Sequence, residues 1–486
     1  MTGVASNYIL PFVGVDIDAS LASGGAALMP FRGLLIGQRV AGGTLAEAEV
    51  QQVFSAAQVE TLAGYNSMAA AMARKWFKNA SYVDTFLVLL DDAGGAAAAT
   101  RVLTITGPAT ADGELVLQFN GTRVSVSVAD EDTATEIGDN LVAALLNYNY
   151  LQFVGVNVTG TVTFTASNLG VAASEALGDM RVSPDPAYSL PSGVGISFAA
   201  TTPGTGDPDI QDVLDVLGDE KFNVIANPYA DDTNLDLLEA YLEQQYGAMY
   251  MRDGLCYQSM RGSVSTQTTF STGANRNCPH AVLIDGQNRQ AAMYELSAAY
   301  AGAVAKSAQE DPGNPLHYIK LVDIRPNVSS ERWIGTERNT LARNGVATLL
   351  DGNGVQTEAT VTMYLKNSAG AADIAYQYQN TLYVLGYARW DLVNGIRLRY
   401  PRARLAASSD GFAAGIKVVT PSVMKVEVVG WFQKMQYKGL FEDISQFQDE
   451  LVIELDVDNV NRLNIQCSPN IVNQLITVSG VISYRL

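Results

Sequence analysis

Histidine and cysteine supply little material for nucleophilic or metal chemistry in this chain. Its 486 residues include two histidines, His280 and His317, and three cysteines. Cys278 comes shortly before His280 in the stretch NCPH, a spacing that could begin a metal site or a thiol–imidazole pair. No further ligands cluster beside this pair, and a nucleophile needs a base within hydrogen-bond reach. We therefore predict that Cys278 and His280 are buried structural residues and that the chain binds no metal and no cofactor.

Paired carboxylates and glycine-rich segments are the other patterns that could do chemistry. The acidic pairs Asp91–Asp92, Asp231–Asp232 and Glu310–Asp311 occur where turns and helix caps already favour aspartate. The stretch DVDNVN at 456–461 lacks the glycine and the terminal glutamate of a calcium loop. GVGIS and DGNGVQ have neither the glycine order of a dinucleotide-binding loop nor the lysine of a phosphate-binding loop. We find no catalytic residues and predict that the protein is not an enzyme.

One stretch is basic against an acidic background. Between residues 389 and 404, in RWDLVNGIRLRYPRAR, only Asp391 opposes five arginines. These are Arg389, Arg397, Arg399, Arg402 and Arg404. They could form a solvated helix end, where cations favourably meet the helix dipole. They could equally form a docking patch for an acidic partner, because charge complementarity sets orientation and register.

The overall charge excludes some partners. Lysine and arginine total 31 against 50 for aspartate and glutamate, and the net charge of −19 repels nucleic acid and anionic membrane surfaces. We expect neither nucleic-acid binding nor membrane insertion. Charged residues make up only 17% of the chain and hydrophobic residues 48%, which suits a subunit whose faces are covered by neighbours.

Length and cysteine usage set further expectations. At roughly 150 residues per domain, the chain is long enough for about three domains. Cys256, Cys278 and Cys467 are far apart and odd in number, which favours a reducing compartment. The first twenty residues contain Asp16 and Asp18 and no basic segment, so a secretory leader is not expected. We expect a protein made and kept in a cytoplasm.

Helix and strand patterns alternate along most of the chain. We predict a core strand at Gly33–Gln38, a helix over NSMAAAMARKWFKNA and a buried strand in VDTFLVLLDD, an order typical of α/β folds. The same rhythm returns after residue 205, where Asp207 and Pro208 are predicted to begin a helix that ends at Leu217. A long helix is predicted from Asp373 to Asn394. The fold class expected is a multidomain α/β protein.

Residues 96–204 have a different character and are predicted to be an inserted β-rich domain with one helix. Asn120-Gly121 joins two alternating apolar runs, the strongest short signal for a β-hairpin. The helix that follows has Thr133 and Glu136 at the spacing of a capping box. Segments rich in proline, glycine and serine close this region.

Both ends of the chain are predicted to be extended. From Ile476 the apolar side chains alternate, the pattern of a half-buried strand. The apolar members of this terminal strand are Ile476, Val478, Ile482, Tyr484 and Leu486. The N-terminal stretch NYILPFVGVDIDAS is interpreted as an arm, with Tyr8, Ile9, Phe12, Val13, Val15 and Ile17 as its apolar side chains. Gly24, Gly25 and Gly480 are candidate hinges. Chain ends fray unless something ties them down, so the terminal strand needs a partner.

The sequence resembles the tail sheath proteins of Mu-like contractile-tailed bacteriophages. The C-terminal line DNVNRLNIQCSPNIVNQL carries the resemblance most specifically, and VGVDIDASLASGGAALMPFRGLLIGQ, GYNSMAAAMARKWFKN, GTERNTLARNGVATLL and RYPRARL agree in order. The match runs through the whole chain except the insertion. Asn459-Val460 and Cys467-Ser468 depart from the family pattern, and both affect loop detail.

This resemblance implies a structural subunit that polymerises as a six-fold helical sleeve of stacked hexameric rings around a tail tube. The terminal arms would add strands to sheets of neighbouring copies, and contraction would drive the tube through the host envelope. The implied partners are other copies of the chain, the tail tube protein, and the baseplate and tail terminator proteins. The protein would assemble in the host cytoplasm and reside in the virion tail.

The resemblance also implies a domain plan. An N-terminal arm would cover residues 1–20, a discontinuous middle domain 21–95 and 205–344, the inserted outer domain 96–204, and a tube-proximal domain with the terminal strand 345–486. A pyocin-like or secretion-type contractile particle is an alternative setting. An α/β enzyme whose site has no recognisable pattern, with the insertion binding carbohydrate, is the alternative from another class.

Overall fold

The computed structural model describes residues 29–185, 187–273, 276–408, 410–413 and 416–485. Residues 31–486 form one compact unit. Several predicted arm and hinge residues lie outside the described residues: Tyr8, Ile9, Phe12, Val13, Val15, Ile17, Gly24, Gly25 and Leu486.

The described residues contain strands and helices of very different lengths. The strands are β1 (Arg32–Gln38), β2 (Gln51–Val53), β3 (Asp84–Leu90), β4 (Ala98–Thr106), β5 (Gly113–Phe119), β6 (Thr122–Val128), β7 (Phe153–Val158), β8 (Thr161–Leu169), β9 (Met180–Val182), β10 (Gly195–Phe198), β11 (Val224–Ala226), β12 (Leu255–Arg261), β13 (Ala281–Gln287), β14 (Lys320–Leu321), β15 (Val346–Ala347), β16 (Leu349–Gly352), β17 (Gly354–Thr357), β18 (Arg404–Leu405), β19 (Val418–Val419), β20 (Phe441–Glu442), β21 (Val452–Leu455), β22 (Leu463–Gln466) and β23 (Asn470–Ile471). The α-helices are α1 (Ala56–Ala63), α2 (Met68–Asn79), α3 (Ala134–Leu145), α4 (Gln211–Leu217), α5 (Asp232–Tyr246), α6 (Val264–Ser271), α7 (Met293–Glu310), α8 (Gly335–Arg343), α9 (Gln379–Arg399), α10 (Pro421–Tyr437) and α11 (Ile444–Glu450).

A seven-stranded sheet with the order β15-β13-β12-β11-β1-β3-β2 is the largest element of the fold. Its pairs are parallel except that β2 runs antiparallel to β3. The strands β1 and β3 are apolar and buried on both faces, as parallel strands between helices must be. Helices α4 and α5 pack in the hydrophobic core on one face of the sheet. Helices α2 and α7 pack against each other and contact β1. This confirms the α/β class and the predicted strand at Gly33–Gln38.

A close contact between backbone and side chain fixes α2 on this sheet. Trp76 of α2 is fully buried, and its indole Nε1 donates a 2.9 Å hydrogen bond to Thr85 Oγ1 of β3. A Cβ atom at Gly33 of β1 would lie 2.3 Å from the Trp76 ring. Glycine is therefore required at this position so that the indole can lie against the strand.

The chain between β3 and α4 forms two antiparallel sheets with a core of their own. One sheet has the order β10-β4-β8-β7 and the other β6-β5-β9, and α3 packs against them. Phe119, Phe153 and Phe164 meet with ring centroids 5.4–5.5 Å apart in this core. The hairpin at Asn120-Gly121 and the capping box of Thr133 and Glu136 are confirmed.

The chain after α9 forms short strands and helices around a core of aromatic side chains. Phe432 of α10 stacks on Phe447 of α11 at 4.1 Å between ring centroids, and Trp431 and Phe441 join the same core. The expected C-terminal domain begins at residue 345, but β15 pairs with β13 in the seven-stranded sheet. Residues 346–347 therefore pack with the part of the chain that precedes them.

Two predicted helix starts are wrong, each because an aspartate has another partner. Helix α4 begins at Gln211 and not at Pro208, since Asp207 Oδ1 accepts a 2.9 Å hydrogen bond from the Ala172 backbone N–H. Helix α9 begins at Gln379 and not at Asp373, since Asp373 accepts hydrogen bonds from the Tyr364 hydroxyl and the Ala375 N–H in a turn.

Helix α9 joins the two largest parts of the fold. It has 21 residues and spans about 31 Å at 1.5 Å per residue. Its first turns are buried against the sheet, where the Tyr383 hydroxyl lies 2.7 Å from the Tyr257 hydroxyl of β12. Its later turns share the aromatic core with α10 through Val384, Ala388, Leu392 and Ile396. The Arg389 guanidinium pairs with Asp253 and donates a 2.7 Å hydrogen bond to the Tyr246 carbonyl.

Arg389 should therefore contribute to stability. Arg389→Ala leaves the Tyr246 carbonyl without this donor and Asp253 with only the longer 3.3 Å pairing to Lys221, and we expect it to lower the free energy of unfolding by about 2 kcal/mol in denaturant titrations. Arg402→Ala is the matched control, because Arg402 is exposed and makes no ion pair among the described residues. The control should change stability by less than ~0.5 kcal/mol. Equal effects of the two substitutions would contradict this role for Arg389.

Candidate assembly surfaces

The Cys278–His280 pair is structural, as the sequence predicted. Both side chains are buried, and the His280 ring lies 4.7 Å from the Tyr246 ring. Burial lowers the pKa of His280 to about 4, so the imidazole is neutral near pH 7. Burial also raises the pKa of the Cys278 thiol, which keeps it protonated and a poor nucleophile. Within the described ranges, no group of three or more His, Cys, Asp or Glu side chains is placed to hold a metal ion.

The C-terminal segment leaves the body of the protein after β23. The Val472 N–H donates to the Leu440 carbonyl, and residues 473–485 make no backbone–backbone hydrogen bond with any other described residue. The first residues of this segment line a groove of about 600 Å³ beside the start of α9. Beyond it, Val478, Ile482 and Tyr484 are 79%, 95% and 81% exposed. The alternating apolar pattern therefore forms no strand within the described part of the single chain.

The exposed segment also contains the candidate hinge Gly480. A Cβ atom at Gly480 would meet nothing within 4 Å. Ile476 is half exposed at the end of the groove, so the predicted apolar face begins where the segment separates from the body. The pairing of this segment with another chain stays a prediction.

A two-stranded hairpin precedes this segment in the chain and has no further strand on either outer edge in the described structure. Strands β21 and β22 pair antiparallel over Val452–Leu455 and Leu463–Gln466, and neither has a second partner in the described structure. Ile453, Leu463 and Ile465 of the hairpin pack against the aromatic core beneath α10. The hairpin is therefore held rigidly while its two edges still present backbone donors and acceptors. Sequence patterns do not show that these two edges lack a second strand.

The five predicted docking arginines do not form one equivalent set. Arg389 is bound to Asp253 and Tyr246 inside the chain, and its guanidinium lies 4.4 Å from the Tyr246 ring centroid. Arg399 is exposed and pairs with Glu427 of α10. Arg397, Arg402 and Arg404 are exposed and have no carboxylate partner among the described residues. Lys417 is exposed beside Arg404, whose N–H donates a 2.9 Å hydrogen bond to the Lys417 carbonyl.

The exposed cations therefore lie at the end of α9 and on the small sheet of β18 and β19. We call Arg397, Arg402, Arg404 and Lys417 the basic patch. Sequence reasoning missed Lys417 because the parallel pairing of β18 with β19 brings it to the arginines across a loop. In the described structure, no helix has the length and apolar character needed to cross a membrane.

Two family descriptions match this chain. Residues 204–363 match the phage tail sheath protein central domain, and residues 371–482 match the phage tail sheath C-terminal domain. The Mu-like prophage FluMu tail sheath protein of Haemophilus influenzae is 30% identical over 485 residues, covering 99% of both chains.

Solved structures show the same fold at low sequence identity. The crystal structure of the sheath tail protein from Desulfitobacterium hafniense has a TM-score of 0.51 and 14% identity, covering 95% of this chain and 97% of its own. A chain in the six-fold symmetrised cryo-EM structure of the anti-feeding prophage baseplate has a TM-score of 0.52 and 12% identity, covering 99% and 100%.

The family also settles the alternative from another class. Tail sheath proteins are structural proteins of phage tails, so the α/β enzyme is rejected and the protein is a tail component. The whole-chain identity to a Mu-like sheath agrees with the resemblance read from the sequence. The chain belongs to the phage tail sheath protein family.

Proposed function

We propose that this protein polymerises helically around a tail tube and that its terminal segments join neighbouring copies by strand exchange. The observation that carries the proposal is the C-terminal segment, which is alternating in sequence, exposed and without a strand partner among the described residues. Such a segment leaves apolar side chains in water unless another chain covers them.

Unpaired strand edges are a liability in a folded protein. An exposed edge strand invites pairing with any other strand, and natural proteins usually block such edges with charge, proline or covering elements. Here Ile476, Val478, Ile482 and Tyr484 carry no charge on the expected apolar face. Strand addition to a sheet edge supplies main-chain hydrogen bonds, while alternate side chains fix the register.

Among the described strands, the hairpin of β21 and β22 is the most suitable acceptor for such a segment. Neither of its outer edges has a strand partner in the described structure, and its inner face packs on the aromatic core. A four-stranded sheet would form if the C-terminal segment of one neighbour and the N-terminal arm of another added to the two edges. Sheets with three or more strands are stable in water where an isolated hairpin is marginal.

This form of exchange generates a polymer. The donor segment and the acceptor edge are different surfaces of the same chain, so the contact is heterologous and does not close a two-fold dimer. Repetition of that contact gives a ring or an open helix. We infer stacked hexameric rings that form the sleeve.

The sleeve would contract if the folded parts of neighbouring copies moved relative to one another while their terminal segments stayed paired. Gly480, with open space around it, allows the exposed strand to change direction relative to the body. The extended sleeve would then be metastable, and contraction would bury more surface between bodies and drive the tube through the host envelope. Baseplate and tail terminator proteins would bound the two ends, and assembly would take place in the host cytoplasm.

We propose a division of the chain that follows its cores. Residues 1–20 form the N-terminal arm. The middle domain comprises 21–95 and 205 to about 370, because β15 and the hairpin of β16 and β17 follow directly from its sheet. Residues 96–204 form an inserted outer domain with a separate core, and the C-terminal domain with its arm lies nearest the tube. The family match that begins at residue 371 supports the later boundary.

The basic patch is proposed to face the tube. Its exposed cations, Arg397, Arg402, Arg404 and Lys417, stand out in a chain of net charge −19 and suit an acidic partner surface. Arg389 is not part of this surface because its guanidinium is bound within the chain. Arg399 would contribute only where its pairing with Glu427 is given up.

Deletion of residues 476–486 should abolish polymer formation and leave a folded monomer. The deleted side chains of residues 476–485 are exposed, so no core contact is lost. Electron microscopy and sedimentation of the purified protein would show tubes for the full chain and a monomer for the deletion. Tubes formed by the deletion variant would contradict strand exchange.

A matched pair of point variants separates strand pairing from a general effect of charge. Ile482→Lys places an ammonium on the apolar face of the proposed strand, whereas Ser483→Lys places it on the opposite face. We expect the first to reduce polymer mass at least tenfold and the second to change it little. Equal effects would argue against a strand at this position.

Charge reversal of the basic patch should separate tube docking from self-assembly. Arg397→Glu, Arg402→Glu and Arg404→Glu together should leave sleeve formation intact and abolish co-sedimentation with purified tube, because the attraction becomes repulsion. The control reverses Lys320, Arg343 and Lys366, which are exposed, lie outside the patch and have no ion pair in the described structure. Normal co-assembly by the patch variant would remove the patch from the tube interface.

A further inference from the structure

A cleft of about 740 Å³ lies between the helical layer of the central sheet and the β-rich segment. One wall comes from α1 and α2, a second from the turn of the β5–β6 hairpin and the residues before β7, and a third from the loop after β14. Its side chains are mainly charged and aromatic. Nothing in the strand-exchange mechanism uses this cleft.

The cleft has an excess of cations. It is lined by Arg74, Lys75, Lys78, Arg123 and Arg325 against the carboxylates of Glu60, Asp323 and Glu295. This local balance is positive although the chain as a whole carries −19. The cleft is therefore opposite in sign to most of the surface of another copy.

The carboxylates in the cleft already interact with cations of the same chain. Glu60 pairs with Arg74 at 2.6 Å, and the Arg74 guanidinium lies 4.8 Å from the Tyr65 ring centroid. Lys75 and Lys78 share the single carboxylate of Asp323 at 3.0 and 2.7 Å. Burial favours the neutral form of Lys75, yet Glu295 and Asp323 raise its pKa on balance, so it stays charged.

Two guanidinium groups at the rim have no carboxylate partner in the described structure. Arg123 is exposed on β6 and lies over the Tyr188 ring at 3.7 Å from its centroid. Arg325 is exposed, and its side chain lies beside Gly121 in the hairpin turn. The turn is held in place from below by a 2.8 Å hydrogen bond from Gln118 to Gln290. The two guanidinium groups therefore lie beside a hairpin turn whose position is fixed by this hydrogen bond.

The opposite end of the same hairpin is acidic. Asp112, Glu114, Asp130 and Glu131 are exposed there, and none forms an ion pair in the described structure. We call these four residues the acidic apex. Arg123 is the sole lysine or arginine between residues 102 and 180, so no cation offsets the apex locally.

The apex cannot reach the cleft of its own chain. In the β5–β6 ladder, Gly113 pairs with Val128 at the apex end and Phe119 with Thr122 at the cleft end. Six residue steps of about 3.4 Å separate the two ends by roughly 20 Å. A partner for either end must come from another molecule.

We propose that the cleft binds the acidic apex of a second copy of this chain. The proposal rests on the assembly described above, and it assigns a second contact between copies that does not involve the terminal segments. Apex and cleft are different surfaces at opposite ends of one rigid hairpin, so their contact is heterologous and can repeat from copy to copy along a sleeve.

The expected contribution is to orientation rather than to affinity. The charges are mostly solvent-exposed, and exposed pairs are screened over about 10 Å at 0.1 M salt. The contact should therefore be weak between free chains and should form once the segments hold copies together, where the effective concentration is high.

Zero-length cross-linking of the full-length protein tests this proposal. Equal amounts of isotopically labelled and unlabelled chains are assembled, treated with a carbodiimide and digested for mass spectrometry. Lys78 is half exposed at the cleft and can form an amide with a nearby carboxylate. We expect labelled-to-unlabelled links from Lys78 to Asp130 or Glu131.

Matched variants establish which carboxylates are responsible. Asp130→Asn with Glu131→Gln should remove these links, whereas Asp212→Asn with Asp215→Asn on α4 changes the charge equally and should retain them. Arg123→Glu with Arg325→Glu should reduce the link yield at least tenfold. Mixing that variant with copies carrying Asp130→Lys and Glu131→Lys should restore contact between the reversed surfaces, measured by co-assembly of the two labelled populations.

The outcomes separate this inference from the proposed function. Self-assembled protein in which no link joins the cleft of one copy to the apex of another, or in which Lys78 is linked between copies only to acids outside the apex, overturns the inference and leaves strand exchange standing. Absence of any self-association overturns both. Links between chains of different label that disappear in the Asp130 and Glu131 variant and persist in the Asp212 and Asp215 control support the inference.

Discussion

The main constraint on this structure is that the C-terminal segment, whose apolar side chains alternate, has no strand partner among the described residues. None of its backbone groups in residues 473–485 is bonded to another described backbone group, and its apolar side chains are exposed. Backbone groups of a strand become stable when a second strand pairs with them, and apolar side chains when another surface covers them. Both requirements are met together if a neighbouring copy provides the sheet edge. The body of the protein must then supply a rigid acceptor.

The rest of the fold is suited to that task. Helix α9 is buried against the central sheet at its start and joins the aromatic core near its end, so a single helix connects the largest sheet to the core on which the hairpin of β21 and β22 packs. Arg389 reinforces the connection through Asp253 and Tyr246. In the proposed mechanism, the exposed segment and Gly480 are the flexible element, because a glycine with open space around it can change direction at little cost. A stiff body with extended links can move as a unit while remaining attached to its neighbours.

Local signals made much of this fold predictable. The apolar runs of β1 and β3, the Asn120-Gly121 turn and the Thr133–Glu136 capping box depend on residues close in sequence. Contacts between distant residues were not predictable in the same way. Asp207 binds Ala172 and does not cap the nearby helix, and β15 finds its partner β13 across about sixty residues. Composition alone also could not show that Arg389 is bound internally while Arg402 is free.

The candidate assembly surfaces were predictable to a similar degree. Period-two alternation is intrinsic to the sequence and predicts a terminal strand, and the pairing of that strand with another chain stays a prediction. The free edges of β21 and β22 and the charged cleft depend on which elements happen to lie side by side. The family relationship supplied the assembly context that neither pattern nor single-chain geometry contains.

Hydrogen–deuterium exchange of the C-terminal segment tests the central claim most directly. Amides of residues 476–485 should exchange at the rate of an unstructured peptide in the free chain, because none is hydrogen-bonded to a described backbone carbonyl. In assembled sleeves the same amides should be slowed at least a hundredfold, as should those on the outer edges of β21 and β22. Sleeves in which residues 476–485 still exchange freely would contradict strand exchange as the link between subunits.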